Sequence, residues 1–411
     1  MKTERLLVPI FMAQAFLGIR VIWRLIRTAG GERITPVERN VGAALAVARS
    51  ICPVESVRST CPPAAIQSSS EHGQVSVIVP VLNERARLKP CLDGLIAQGD
   101  EVAEIIIVDG GSDDGTQDLV STFIRGDSRV CLVDASPIPP DWNGKAWGLQ
   151  VGLRSANPDS NWVLAIDADV RPRATLTLAL LEQAKKAKLS ALSVATLQEI
   201  GSIGEGLLHP SMLTTLIYRF GMPGRVIRRV SEVQANGQCF LFRREALEAC
   251  DGFGCVRNSL CEDVTMARTL VASGYPIGFY EAGDLVSVKM YTDWRDTWQN
   301  WPRSLPMLDQ FSGTHTFLGL LEVVLVQALP LPLMLFLATM HMRRSWIMML
   351  NCVLGAMRIG VLFGTMRAYR QRPWTYWLSP LCDLPVAVQL ARSALRRRHI
   401  WRGRVLVRGG M

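Results

Sequence analysis

The sequence predicts an α/β domain with a mostly parallel sheet, flanked on both sides by apolar segments of membrane-spanning length. From residue 75 to about residue 285, apolar strand-like runs alternate with helical patterns, as is typical of such a domain. Hydrophobic residues make up 49% of the 411 residues, and the excess is concentrated in a few stretches. The membrane-like part is therefore segmental.

The N-terminal segment predicts an uncleaved transmembrane anchor over residues 1–28. Residues 6–23 are apolar except for Gln14 and Arg20, and eighteen residues just span a bilayer. A signal peptide is the alternative, but the run is long, Arg20 interrupts it, and no small-residue cleavage site follows at once. Residues 29–73 mix Gly, Pro, Ser and charge without periodicity, which predicts a linker.

The C-terminal region, residues 306–411, predicts further membrane helices. Residues 317–340 form a long apolar stretch, and a second runs from 346 to 366. An antiparallel pair would bring Glu322 and Arg358 to comparable depth, so we expect them to form an ion pair. Residues 374–395 contain two prolines and two charged residues, which favours a re-entrant or interfacial segment.

Charge and cysteine usage narrow the class of protein. The net charge is +9, but residues 341–411 carry thirteen arginines and one acidic residue, Asp383. This excludes a nucleic-acid-binding catalytic body and predicts either a basic collar against anionic headgroups or a topology signal. The ten cysteines show no CxxC pair, which fits a reduced compartment. We expect an integral membrane protein whose catalytic domain is cytosolic, at a bacterial inner membrane or its equivalent.

Acidic residues follow three predicted strands. The first strand runs into Glu84, the second into Asp109, and the third into Asp167 and Asp169. In an open parallel sheet, ligands bind beyond the carboxyl ends of the strands. A divalent cation with a diphosphate is the natural occupant between Asp167 and Asp169, and a solvated turn is the alternative.

Two further elements add candidate chemistry. Lys145 lies after a glycine turn and before a helical pattern, where its cation can reach phosphate oxygens. Glu262 and Asp263 open an amphipathic helix. They are either a general base facing an acceptor hydroxyl or residues that cap the helix N-terminus.

A helical pattern over 205–229 has apolar positions 208, 212, 216 and 220 on one side, with three arginines nearby. An interfacial helix that guides lipid entry and a core helix that covers the sheet both fit this pattern. Aromatic residues between the catalytic domain and the first C-terminal span predict an interfacial belt.

Taken together and in order, these motifs resemble the family 2 glycosyltransferases with the GT-A fold, over residues 74–305. The flanking membrane segments, with PPDWNGKAWGLQVG at 139–152 and NGQCFLFRREAL at 236–247, resemble bacterial enzymes that glycosylate carotenoids, with hopanoid-associated transferases as relatives.

The resemblance implies roles for individual residues. Those expected around the nucleoside of a UDP- or GDP-sugar are Pro80, Glu84, Asp109 and Asp113. Lys145 is then near the diphosphate, Asp167 contacts ribose or metal, and Asp169 ligates Mg²⁺ or Mn²⁺. Asp263 is implied as the catalytic base, with Glu262 beside it.

One motif of the family is broken in this sequence. Processive relatives carry a QxxRW motif after the base, and here the region reads TWQNWPRSL. Gln299, Trp301 and Arg303 are expected on the acceptor side, and the broken motif favours transfer of a single sugar.

The function expected from these motifs is direct, inverting transfer of one sugar to a hydroxyl of a membrane lipid, with a carotenoid favoured. Polyprenyl-phosphate, glycerolipid and sphingolipid acceptors also fit the architecture. A non-catalytic membrane scaffold that binds nucleotide-sugar is the alternative outside enzymes.

Overall fold

The computed structural model describes residues 2–37, 74–340, 345–396, 398–401 and 404–407. The helices are α1 Lys2–Thr28, α2 Arg85–Ile96, α3 Thr116–Ile124, α4 Gly144–Ser155, α5 Leu176–Lys186, α6 Ile203–Phe220, α7 Arg244–Glu248, α8 Glu262–Ala272, α9 Trp294–Asn300, α10 Gly313–Glu322, α11 Pro330–Thr339, α12 Trp346–Thr365 and α13 Asp383–Leu395. The strands are β1 Val75–Val81, β2 Val102–Asp109, β3 Val130–Asp134, β4 Trp162–Ile166, β5 Val170–Pro172, β6 Ala191–Ala195, β7 Leu197–Gln198, β8 Arg225–Ile227, β9 Cys239–Arg243, β10 Ile277–Glu281, β11 Val286–Val288, β12 Arg398–Trp401 and β13 Arg404–Val407.

An eight-stranded mixed sheet forms the centre of the domain, in the order β3-β2-β1-β4-β9-β6-β10-β8. The first four strands are parallel, and β9 runs antiparallel between β4 and β6. The β1 and β2 side chains are almost all buried, because helices cover both faces of a parallel sheet. The predicted α/β class and mostly parallel sheet are confirmed, and β9 is an antiparallel insertion.

Helix α6 covers one face of this sheet. It begins with a capping box, in which Ser202 and Glu205 bond each other's backbone N–H groups. Leu208, Met212 and Leu216 are buried in the main hydrophobic core. The core-helix alternative is supported for this segment, because these apolar side chains pack on the sheet.

Two helices among the described residues, Pro9–Thr28 and Trp346–Ala368, are long and apolar enough to cross a membrane. The predicted single helix over 317–340 is broken. Helices α10 and α11 are joined by a π-helical segment, Val323–Ala328, and the pair is bent by 43°. The break falls at Pro330, which cannot donate a helical hydrogen bond. Residues 374–395 form a 3₁₀-helix, Trp374–Cys382, followed by α13.

The expected ion pair between Glu322 and Arg358 is wrong. The Glu322 carboxylate, 1% exposed, contacts Arg20 at 2.7 Å and Arg24 at 2.8 Å, both on α1. Arg358 instead pairs with Asp383, at 2.8 Å from Nε to Oδ2. Ser211 on α6 donates to Asp383 at 2.6 Å, so this buried pair also joins the apolar helices to the α/β domain.

Part of the predicted linker contacts the sheet. The Ile34 N–H donates to the Glu281 carbonyl at 3.1 Å, and Arg33 pairs with the Glu281 carboxylate at 2.7 Å. Residues 38–73 lie outside the described residues, as do 341–344 and part of the basic tail. The eight cysteines in the described part of the chain are free thiols, and Cys52 and Cys61 lie outside it.

Candidate active site

A cavity of about 420 Å³ opens at the carboxyl edge of β1, β2 and β4. Nine of the side chains singled out from the sequence line it: Pro80, Glu84, Lys145, Asp167, Asp169, Glu262, Asp263, Trp301 and Arg303. They come from five separate segments, and they meet because parallel strands end at the same edge of a sheet.

Lys145 connects two of the acidic motifs. The N-cap Asn143 accepts a hydrogen bond from the Lys145 N–H, which fixes the first turn of α4 at the cavity. The Lys145 Nζ lies 2.8 Å from Asp167 Oδ1 and 2.8 Å from Glu262 Oε1. Burial lowers the pKa of Lys145, but the surrounding carboxylates outweigh it and hold that pKa well above its usual range. Lys145 is therefore a permanent cation.

The two acids at the start of α8 differ in environment. Burial opposes ionisation of Glu262, but Lys145 outweighs this effect and keeps the Glu262 pKa below its usual value. Burial, together with the charge of Glu262, raises the pKa of Asp263 to about 6. A carboxylate with a pKa near 6 is ionised at neutral pH yet accepts a proton readily. Of the two acids, Asp263 is the better base.

Two backbone N–H groups orient Asp263. The Gly237 N–H donates to Oδ2 at 2.7 Å, and the Val264 N–H donates to Oδ1 at 2.8 Å. A Cβ atom at position 237 would lie 2.9 Å from Lys145 Nζ and 3.1 Å from the Asp263 Cβ. A side chain at position 237 would therefore crowd both the cation and the base.

Asp169 has the character of a metal ligand. Its Oδ1 is buried and has no hydrogen-bond partner among the described residues. Burial and the charge of Asp167 raise the pKa of Asp169 to about 7. A divalent cation would satisfy the orphan oxygen and favour the ionised form. Asp167 and Asp169 therefore fit a hard metal ion.

The protein alone offers few ligands for that ion. Among the described residues, no group of three or more His, Cys, Asp or Glu side chains is arranged to hold a metal. Mg²⁺ is commonly held by one or two carboxylates together with substrate phosphates. The donor set thus fits a metal that is bound together with a diphosphate.

The structure does not place Asp109, Asp113 or Gln299 among the cavity-lining side chains. Asp109 is buried and accepts hydrogen bonds from Ser112 and Gln117, so it holds the turn after β2. Asp113 is exposed, as is Gln299. Gly110, beside Asp109, does line the cavity.

The aromatic run after the catalytic domain divides between two environments. Trp301 is 8% exposed and lines the cavity, whereas Trp294 is 44% exposed. Trp301 packs against His209, with ring centroids 4.3 Å apart. Part of the predicted interfacial belt is therefore a wall of the cavity.

Sequence reasoning missed several cavity residues. His209 on α6 lines the cavity, and burial lowers its pKa to about 3, which keeps it neutral. Its Nε2 is buried without a partner among the described residues. Thr365 and Arg367, at the end of α12, also line the cavity. No sequence pattern links these distant segments to the strand ends. The segment NGQ around Gly237 contacts Asp263, but the sequence alone indicates no catalytic or binding role for it.

The mixed sheet, with this lysine and carboxylate cluster at its carboxyl edge, defines a GT-A-like α/β domain. Residues 76–250 match the family model described as Glycosyl transferase family 2. The match supports a family 2 glycosyltransferase domain in this chain, as the motifs predict. The finer resemblance to carotenoid-type enzymes stays a prediction.

Two curated relatives are similar over part of that domain. Glycosyltransferase GlyA of Streptococcus pneumoniae is 30% identical over 96 residues, which is 23% of this chain and 13% of that protein. Lipopolysaccharide core biosynthesis glycosyltransferase LpsC of Rhizobium meliloti is 34% identical over 97 residues, or 24% and 32% of the two chains. The chain thus spans less than a third of the length of either relative.

A solved structure is similar over the whole chain. It is the mannosyltransferase PcManGT from Pyrobaculum calidifontis in complex with GDP-Man and Mn²⁺, 16% identical, with a TM-score of 0.50. The superposition covers 95% of this chain and 97% of that one. At this identity the likeness concerns the fold.

Proposed function

We propose that this protein is a metal-dependent, inverting glycosyltransferase, which moves one sugar from a nucleotide-sugar to a hydroxyl of a membrane lipid. The observation that carries the proposal is the cluster of Lys145, Asp167, Glu262 and Asp263 in one cavity. It combines a fixed cation for a diphosphate, carboxylates for a metal, and a base of suitable pKa. The scaffold alternative gives no reason for that base.

The donor side of the proposal rests on the strand ends. Pro80 and Glu84 lie at the end of β1, where the nucleoside is expected. Asp109 holds the turn after β2, and Asp113 is exposed on that turn. Lys145 donates to the diphosphate. Asp167 and Asp169 would hold Mg²⁺ or Mn²⁺. The bound metal would neutralise the negative charge that develops on the leaving diphosphate. UDP- and GDP-sugars are the donor candidates, and the GDP-Man complex of the mannosyltransferase supports this class.

The acceptor side of the proposal rests on Asp263. Its carboxylate removes the acceptor proton while the acceptor oxygen attacks the anomeric carbon from the side opposite the diphosphate. One displacement inverts the configuration and needs no covalent enzyme intermediate. The Gly237 and Val264 N–H groups hold both carboxylate oxygens, so the base does not swing away between turnovers.

A lipid acceptor is supported by the far end of the cavity. Leu213, Leu216 and Ile217 of α6 line it, together with Met222 and Ala368 near the ends of the apolar helices. An apolar acceptor entering between α6 and α12 would reach Asp263 without leaving protein contact. A soluble acceptor gives no reason for this lining.

Membrane attachment is part of the proposal, and the exposed apolar side chains of α1 and α12 support it. Phe16 is 66% exposed, Ile19 is 68% exposed, and Phe363 is 61% exposed. Large apolar side chains in a continuous band favour contact with lipid. In this proposal the catalytic domain is on the cytosolic side, and a carotenoid hydroxyl is the favoured acceptor because of the sequence resemblance.

A polyprenyl-phosphate acceptor is the second candidate. Arg303 and Arg367 both line the cavity, and an arginine fork matches phosphate geometry. A phosphate acceptor carries its own charge at neutral pH and needs no base. The two candidates therefore differ in whether Asp263 is required.

Lipid and pigment profiling by mass spectrometry tests the proposal. A host strain lacking the protein is complemented with the wild type, with Asp263→Asn, or with Asp284→Asn as a matched control. Asp284 is exposed and does not line the cavity. We expect a glycosylated lipid to disappear, and to return with the wild type and Asp284→Asn only.

The mass of the lost species distinguishes the acceptors. A product without phosphorus supports a hydroxyl acceptor, and a glycosyl phosphate supports the polyprenyl-phosphate candidate. An unchanged lipid profile contradicts the proposed function and favours the scaffold alternative. Full complementation by Asp263→Asn contradicts a hydroxyl acceptor, and together with loss of a glycosyl phosphate it supports the polyprenyl-phosphate candidate.

A further inference from the structure

A second cavity, of about 220 Å³, lies between α1, α6 and α10. It shares no lining residue with the candidate active site. Among the described residues, its lining contains His315 together with five arginines and two glutamates: Arg20, Arg24, Arg27, Arg219, Arg225, Glu232 and Glu322. The five arginines and two glutamates leave a surplus of three positive charges in a confined space.

Both glutamates are already shared between arginines. Glu322 contacts Arg20 and Arg24, and Glu232 contacts Arg27 at 3.5 Å and Arg225 at 3.3 Å. Neither carboxylate is left over for a further cation. An additional anion would therefore balance the surplus.

Arg219 is the arginine without a carboxylate. Its guanidinium donates only to backbone carbonyls among the described residues, those of Thr215, Leu305 and Pro306. Burial and the neighbouring positive charge of Arg268 lower the pKa of Arg219 to about 9. The positive charge is fixed by the fold and costs energy in the absence of an anion.

The cavity lies beside the surface that the proposed function places in lipid. Trp23, 61% exposed, lines it, and Phe317 on α10 is 62% exposed. Tryptophan settles at the level of lipid headgroups. Acyl chains can run along these side chains while a headgroup occupies the cavity.

We infer that the cavity between α1, α6 and α10 binds the phosphate headgroup of an anionic membrane lipid. This site is separate from the acceptor path, and the inference rests on the proposed membrane placement. Bound there, the lipid joins α1 and α10 to the catalytic domain through α6. Free inorganic phosphate offers the same headgroup chemistry without the chains, so the experiment separates the two sources.

Native mass spectrometry of the full chain in a neutral detergent measures the binding. The protein is titrated with dioleoyl phosphatidylglycerol, dioleoyl phosphatidylcholine or sodium phosphate. We expect retained phosphatidylglycerol at concentrations where phosphatidylcholine is lost, and no displacement by millimolar phosphate.

The variant Arg20→Gln/Arg27→Gln removes two rim cations, and it leaves Arg24 on Glu322 and both Arg225 and Arg229 on Glu232. We expect phosphatidylglycerol to bind about 25-fold more weakly, since each arginine at a membrane surface contributes roughly a factor of five. Ser231→Glu adds a negative charge to the lining without breaking an ion pair, and it should weaken binding about fivefold. Arg228→Gln is the matched control, because Arg228 is exposed and does not line the cavity.

Equal binding of both lipids, or unchanged binding in Arg20→Gln/Arg27→Gln and Ser231→Glu, overturns the inference. Full displacement by phosphate rejects a lipid as the source of the headgroup. Asp263→Asn should bind phosphatidylglycerol like the wild type, because sugar transfer does not enter this measurement. The lipid-binding result can therefore be interpreted even if the protein proves to have no glycosyltransferase activity.

Discussion

Asp263→Asn should make the protein inactive and, at the same time, more stable. The pKa of Asp263 is raised from 3.8 to about 6, so the folded state holds the proton more tightly than the unfolded chain does. The ionised carboxylate therefore opposes folding above pH 6 and has no effect below about pH 4. A difference of this size corresponds to about 3 kcal/mol.

The asparagine side chain in Asp263→Asn recovers only part of this free energy of unfolding. Asp263 accepts from the N–H groups of Gly237 and Val264, and asparagine has one oxygen for these two donors. One hydrogen bond lost in a partly buried site costs about 1–2 kcal/mol. We therefore expect a net gain of about 1–2 kcal/mol at pH 8 and a loss of similar size at pH 4.

Activity should change in the opposite direction. A positioned base contributes about 10²–10⁴-fold, so kcat/KM should fall by that factor. The wild-type kcat/KM should rise with pH through about 6, as Asp263 becomes ionised, and the variant should lose this rise.

Thermal unfolding, followed by tryptophan fluorescence in neutral detergent at pH 4 and pH 8, measures the stability. A nucleotide-release assay with isolated lipid acceptor measures the activity, with Asp284→Asn as the control. Residual activity above about a tenth of the wild type would refute the assignment of the base. A variant that is less stable than the wild type at both pH values would refute the electrostatic argument.

Three further predictions concern other parts of the molecule. Lys145→Met leaves the Asp167 and Glu262 carboxylates without their shared cation. The Kd for UDP or GDP, measured by calorimetry, should rise about 10–100-fold. An unchanged Kd would show that Lys145 does not contact the diphosphate. Asp169→Asn should weaken Mn²⁺ binding in the presence of the diphosphate roughly tenfold or more, measured by electron paramagnetic resonance, and unaltered Mn²⁺ binding argues for a different ligand. Asp383→Leu leaves the buried Arg358 cation without its partner and should lower the free energy of unfolding by about 3–5 kcal/mol. The double variant Asp383→Leu/Arg358→Met should recover most of that loss in thermal unfolding. Equal instability of the single and double variants contradicts the pairing.

The catalytic cluster was accessible to sequence reasoning because its residues follow buried strands. Asp167 and Asp169 come directly after β4, and Glu84 follows β1, so strand polarity alone brings them to one edge. Lys145 and Asp263 open helices that begin at that edge. The direction of the strands and their order in the sheet are enough to predict this part of the site.

The remaining cavity wall depends on contacts that no local pattern encodes. His209 reaches the cavity from the middle of α6, and Arg367 reaches it from the end of α12. Their positions follow from how the apolar helices pack on the domain. Packing of this kind is set by side-chain shape along two whole helices, which a motif does not describe.

The misassigned ion pair has a similar origin. Glu322 and Arg358 both interrupt C-terminal apolar stretches, but the partners of Glu322 lie on α1, far away in the sequence. A signal for the correct partner was present, since Asp383 is the one acidic residue among residues 341–411. A buried arginine there had a single acid available within its own region.

Helix α6 belongs at once to the catalytic core and to the apolar helix bundle. Met212 and Leu216 pack on the sheet side, while Ile217 and Tyr218 pack with Leu17 of α1 and Leu354 of α12. The reactive carboxylate consequently stands at one set height relative to the apolar helices. If the proposed lipid acceptor is correct, this fixed height would select acceptors by the distance between their hydroxyl and the bilayer.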